Sequence, residues 1–173
     1  MGQLITWSRL DGSRIALGAL GGAVAILDQA TKAAVQAMLP LHDSIEIIPG
    51  LLSFIHARNY GVAFGFLNTV DFPFKTAFMT LVALTALIAI GMYAMRSNIP
   101  RMVAKIGLAL VIGGATGNLI DRVSEGYVVD FVDFYWRGWH FWAFNVADAG
   151  ITVGAALLIL DMAWMDRNVS ETI

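Results

Sequence analysis

"TAFMTLVALTALIAIGMYAM", Thr76 to Met95, runs for 20 residues without a single formal charge. A bilayer's hydrocarbon takes about 20 consecutive apolar residues to cross as a helix. This stretch therefore reads as a membrane span, and it sets the class of the whole chain. Composition agrees: 58% of the 173 residues are hydrophobic and 14% are charged, against about 25% charged in an ordinary soluble domain. A net charge of −2 leaves no basic surface for nucleic acid. The absence of cysteine excludes disulfides, thiol nucleophiles and thiolate metal sites.

Outward from this span, three more apolar stretches emerge. They cover about 14–39 (interrupted by Asp28 and Lys32), about 102–120, and about 146–165 (holding Asp148 and Asp161). Pro40, Pro73 and Pro100 fall at span ends, where a missing N–H does least harm. Arg9 and Arg14 precede an apolar run as in a secretory signal. The run is too long for one, and no small-residue cleavage site comes before Asp28, so it reads as a retained span.

Four spans put both termini on one side. Arg96, Arg101 and Lys105, with Arg9, Arg14 and Arg167, mark that side as cytoplasmic, while Arg58, Lys75, Arg122 and Arg137 lie opposite. Trp7, Tyr93 and Trp164 fit one interfacial belt, and Tyr127, Tyr135, Trp136, Trp139 and Trp142 the other. Two loops then face outward, 41–67 and 124–144. The first carries, in "SIEIIPGLLSFIHARN", β-prone runs around Pro49–Gly50 and reads as a small sheet packed on the membrane surface, its Phe54 to Phe66 part flanking the site. The second is aromatic and reads as a short interfacial helix or lid. Gly18/Gly22 and Gly113/Gly117 read as helix-packing faces. The expected fold is an all-α membrane protein: a four-transmembrane-helix bundle with a small extracytoplasmic β-sheet, one domain over 1–173.

Acids in or beside a bilayer are expensive, about 2.5–3.5 kcal/mol each at a helix centre on insertion scales. Asp28, Asp121, Asp130 and Asp148 all map to the outer ends of spans or just beyond, so a bundle would gather them at one depth. Asp28 is four residues before Lys32, a spacing that favours an ion pair, and Asp121 adjoins Arg122. A carboxylate beside a cation stays ionised and suits a structural or substrate-positioning role. Asp130 and Asp148 have no adjacent cation. Placed together, they would share one proton, one acting as base and the other as acid, as an aspartic peptidase requires. Asn59, Asn118 and Asn145 could supply amide hydrogen bonds.

Other readings stand beside these. Taken on its own, Asp130 reads first as an N-cap or a solvated loop acid, Asp133 as a solvated interfacial acid, and Asp161 as a partner for a cytoplasmic-side cation. A proton relay through Asp28, Asp121 and Asp148 would want acids through the bilayer's depth, and none lies between the outer cluster and Asp161. A purely structural subunit would need no such convergence. His42, His56 and His140 lack metal-ligand spacing, and no serine sits in a nucleophile-elbow context. Asp130 and Asp133 alone are too few acids for a phosphotransferase Mg²⁺ site.

Five stretches together resemble, in order, the motifs of bacterial lipoprotein signal peptidase, signal peptidase II. They are "LDQATK" (27–32), "NYGVAFGFL" (59–67), "GGATGNLIDR" (113–122), "GYVVDF" (126–131) and "FNVADAGITVG" (144–154). The resemblance implies an aspartic endopeptidase of the bacterial cytoplasmic (inner) membrane. Such an enzyme removes signal peptides from diacylglyceryl-modified prolipoproteins, on the amino side of the lipidated cysteine. By motif position Asp130 and Asp148 would be catalytic. Asn59, Asn118, Asp121, Arg122, Asn145, Asp28 and Lys32 would shape the site and bind substrate. No metal and no cofactor are implied; membrane lipids and prolipoproteins are the expected partners, and a monomer is expected. Tyr60, Gly65 and Ala149 depart from the threonine, serine and serine common in the family, which bears on substrate preference.

Overall fold

Four helices and four strands follow one another over the residues described by the computed structural model, which are 12–61, 72–96, 99 and 101–170. In order they are α1 (Gly12–Met38), β1 (Ser44–Ile48), β2 (Leu52–Asn59), α2 (Lys75–Arg96), α3 (Met102–Ser124), β3 (Val128–Trp136), β4 (Trp139–His140) and α4 (Val146–Ser170). Expectations that fall on Trp7, Arg9, Gly65, Pro100 and the 62–67 portion of the outer loop lie outside the described residues, as do those on the side chains of Arg96 and Arg167.

Among the described residues three helices are long and apolar enough to cross a membrane: Lys75–Met95, Met102–Ser124 and Val146–Trp164. Helix α1 is the longest, with 27 residues, and carries the polar run Asp28, Gln29, Thr31 and Lys32 in its second half. α3 is the centre of the bundle, packed by α1, α2 and α4. Its buried face includes Gly107, Gly113, Gly114, Gly117, Asn118 and Asp121. Small residues are required there by close approach. A Cβ on Gly113 would collide with the carbonyl oxygen of Gly21, and one on Gly117 would stand 2.5 Å from Asp28 Oδ2. The Gly113/Gly117 face is thus a packing face. Gly18 and Gly22 are not: a Cβ on either meets nothing within 4 Å, and Gly21 is the contact residue of α1.

The sheet has the order β1-β2-β3-β4 with antiparallel neighbours throughout. β1 and β2 form a hairpin over Pro49–Gly50, where Gly50 takes φ of 75°. β2 ends at Asn59. The outer segment 124–144 corrects the expectation of an interfacial helix: most of it is strand. Val128, Val129 and Val132 are β-branched and pair with β2, Ala57 opposite Asp130 and Asn59 opposite Val128. β3 then turns into β4 through Arg137 and Gly138, both at positive φ (50° and 83°), as a tight two-residue hairpin needs. The chain is mostly helical, with one small sheet at the end where α1 and α3 finish and α4 begins.

Candidate active site

The site lies where the polar half of α1, the last turn of α3, strand β3 and the first turn of α4 meet. Lys32 on α1 is 2% exposed, and its ammonium reaches three acceptors. These are Asp28 Oδ2 at 2.7 Å, Asp121 Oδ2 at 2.6 Å and Asn118 Oδ1 at 2.9 Å. An ammonium has three N–H donors, so this one is saturated. Asp28, fully buried, also accepts the backbone N–H of Ala147 at 2.8 Å. It thereby satisfies an orphan donor of the first turn of α4, where negative charge is favoured.

The i,i+4 pairing of Asp28 with Lys32 is present as the spacing suggested. Asp121 behaves differently from its expected pairing with Arg122. Its partners are Lys32 and the Gln29 amide, which donates to Oδ1 at 2.6 Å. Consecutive residues on a helix do not face each other, so Asp121 turns toward α1 while Arg122 turns away. The guanidinium of Arg122 donates to the carbonyl oxygens of Asn118 at 3.1 Å and Gly61 at 3.0 Å. It lies within electrostatic reach of Asp148, Asp130 and Asp121.

Three asparagines line the two remaining acids. The oxygen of each is held by a group that can only donate, which turns its NH₂ toward a carboxyl. Asn145 is the N-cap of α4: its Oδ1 accepts the Asp148 N–H at 2.9 Å, and its Nδ2 donates to Asp130 Oδ1 at 2.8 Å. Asn59 Oδ1 accepts the Gly61 N–H at 2.8 Å, and Nδ2 donates to Asp130 Oδ2 at 3.0 Å. Asn118, held by Lys32, donates to Asp148 Oδ1 at 2.8 Å.

Asp130 is 3% exposed, and its proton affinity is strongly perturbed. Burial and then the charge of Asp148 push its pKa up to about 7, against the opposing pull of the Asn59 and Asn145 amides and of Lys32. A carboxyl of this kind holds its proton near neutrality beside a second carboxyl, which is the electrostatic requirement for acid and base from one residue type.

All nine residues named from the sequence thus fall in one network: Asp28, Lys32, Asn59, Asn118, Asp121, Arg122, Asp130, Asn145 and Asp148. Sequence reasoning gave no role to Gln29 or Gly61. Gln29 was visible as a polar residue within the Asp28–Lys32 run of an apolar helix. Asp133 is buried rather than solvated, with His140 Nδ1 2.8 Å from Oδ2. Asp161 has its expected cation, Arg101, at 3.7 Å. Among the described residues no group of three or more His, Asp or Glu is placed to hold a metal ion.

A family model described as "Signal peptidase (SPase) II" matches residues 20–164. A "Lipoprotein signal peptidase" of Geobacter metallireducens is 48% identical over 84% of this chain and 89% of its own. One of Nitratidesulfovibrio vulgaris is 41% identical over 86% of this chain and 89% of its own. The solved structure titled "Bacterial membrane enzyme structure by the in meso method at 2.3 A resolution" superposes with TM-score 0.78 at 31% identity, covering 88% of this chain and 90% of that one. A matching family model over most of the length, relatives above 40% identity and a shared fold all agree: the chain belongs to the signal peptidase II family of membrane proteases.

Proposed function

We propose that Asp130 and Asp148 are the catalytic pair with which this signal peptidase II cleaves lipoprotein signal peptides. The observation that carries the reading is the convergence of three oriented asparagine amides on two acids, the buried Asp130, which holds its proton near pH 7, and the half-buried Asp148. The ionised member takes a proton from water, whose oxygen then bonds to the scissile carbonyl carbon. As the C–N bond breaks, the protonated member gives its proton to the leaving nitrogen. Protons balance, and the pair ends with its roles exchanged.

The substrate is a prolipoprotein whose cysteine already carries diacylglycerol, cut on the amino side of that cysteine. Asp130 stands on β3 and Asp148 in the first turn of α4, at the end of the bundle that carries the sheet, which suits a bond tethered by acyl chains to the outer leaflet. Burying acyl chain stabilises by about 0.8 kcal/mol per CH₂, so the lipid can dominate binding and fix the depth of the cysteine. Asn59, Asn118, Asn145 and Arg122 shape the site, with Asp28, Lys32 and Asp121 beneath them. The enzyme is a single-domain monomer with four spans including α1, in the bacterial inner membrane, with both termini cytoplasmic and the sheet outside.

The experiment compares one preprolipoprotein with and without its diacylglycerol, incubated with the purified protein in detergent. The lipidated form is cut before the cysteine, and the unlipidated form at least about 10²-fold more slowly, through loss of positioning. Equal rates would show that the lipid is not read.

A further inference from the structure

Lys32 hydrogen-bonds neither Asp130 nor Asp148, yet the two acids differ in how they connect to it. The amides that serve Asp130, those of Asn59 and Asn145, are pinned by backbone N–H groups. The amide that serves Asp148 is pinned by the buried ammonium, 2.9 Å from Asn118 Oδ1. An ammonium cannot accept, and an ionised carboxylate cannot donate. Flipping Asn118 would therefore set N–H against ammonium on one side and oxygen against Asp148 on the other. Asp28 and Asp121 hold the ammonium in place from the remaining two directions.

We propose that Lys32 is a positioning residue: through the amide of Asn118 it makes Asp148 the ionised member that accepts the proton from water, and leaves Asp130 as the proton donor. The proposal rests on the paired-carboxylate reading above. Two observations accord with it. Both oxygens of Asp130 accept amide N–H, whereas among the described residues Asp148 accepts one amide N–H, at Oδ1, and none at Oδ2. Burial and its neighbour's charge also raise Asp130 to about 7, which suits a proton donor.

The test is a double-mutant cycle on kcat, run in an Asp121→Asn background. There Lys32→Met leaves the buried cluster with one negative charge, the same net charge it has in the native protein. Within that background Lys32→Met lowers kcat at least about tenfold with KM changed less than about twofold, and moves the acid limb of the kcat profile to higher pH. Once Asn118→Ala is also present, Lys32→Met changes kcat less than about threefold. The same loss in both backgrounds, or no loss in either, overturns the proposal. If Lys32→Met does not fold, Asn118→Asp decides, because it keeps an acceptor for Lys32 but offers Asp148 no amide N–H. It loses at least about 10²-fold in kcat, and native kcat in that variant overturns the proposal. Asp148→Asn separates the two levels: if it still turns over, the paired-carboxylate reading itself fails and this inference with it. If it is inactive while the cycle is additive, only the role of Lys32 falls.

Discussion

Asp130 brings together burial, charge and hydrogen bonding in one side chain. Burial comes first among the causes that raise it to about 7, and the Asn59 and Asn145 amides oppose that rise by favouring the ionised form. As the proposed acid it must be protonated in the free enzyme, so the alkaline limb of kcat/KM falls as pH rises through about 7. Asn59→Ala removes a donor to the charged form, so the alkaline limb moves to higher pH. A pH series of kcat/KM on both proteins measures this, and a limb that moves down would reverse the electrostatic argument. Asp130 and Asp148 were legible in the sequence as the acids without a neighbouring cation, and Asp28–Lys32 as a pair one helical turn apart. The bond from Gln29 to Asp121 spans 92 residues of sequence, and no local rule reports it. Only the bundle brings α1 against α3.

Helices were legible because an apolar run of span length is an unambiguous signal, and their ends moved by only a few residues. The strand β3 was not. Its aromatic and acidic residues suggested an interfacial segment, whereas "VVDFVDF" is a β-prone run that becomes a strand once β2 lies beside it. Packing glycines were half legible, since spacing cannot tell which face of α1 meets α3. The two faces give opposite expectations. Gly113→Ala forces a Cβ into the Gly21 carbonyl and destabilises by about 1–3 kcal/mol. Gly18→Ala meets open space and gains helix propensity, so its stability stays within about 1 kcal/mol of native or rises. Thermal unfolding of both variants in one detergent checks the pair, and equal destabilisation would contradict the packing assigned to α1.

Across the whole molecule the polar chemistry is gathered at one end of the bundle. The opposite end holds Arg101 paired with Asp161. With Lys105 one turn on, these cations support the proposed orientation by the positive-inside rule, in which the sheet and the acids lie outside. The chain contains no cysteine, so single cysteines report without background. Gly138→Cys at the β3–β4 turn is labelled by a membrane-impermeant maleimide in intact bacterial cells, and Met102→Cys only after permeabilisation; the reverse pattern would invert the topology. Turnover by Asp130→Asn and Asp148→Asn, each purified folded in detergent and given lipidated preprolipoprotein, tests the paired carboxylates most directly. Each amide keeps the shape of its acid but can neither accept nor deliver the catalytic proton. Each variant is therefore slower by about 10³-fold or more while unfolding within a few degrees of the native protein. Near-normal turnover in either folded variant would contradict the mechanism and remove that aspartate from the chemistry.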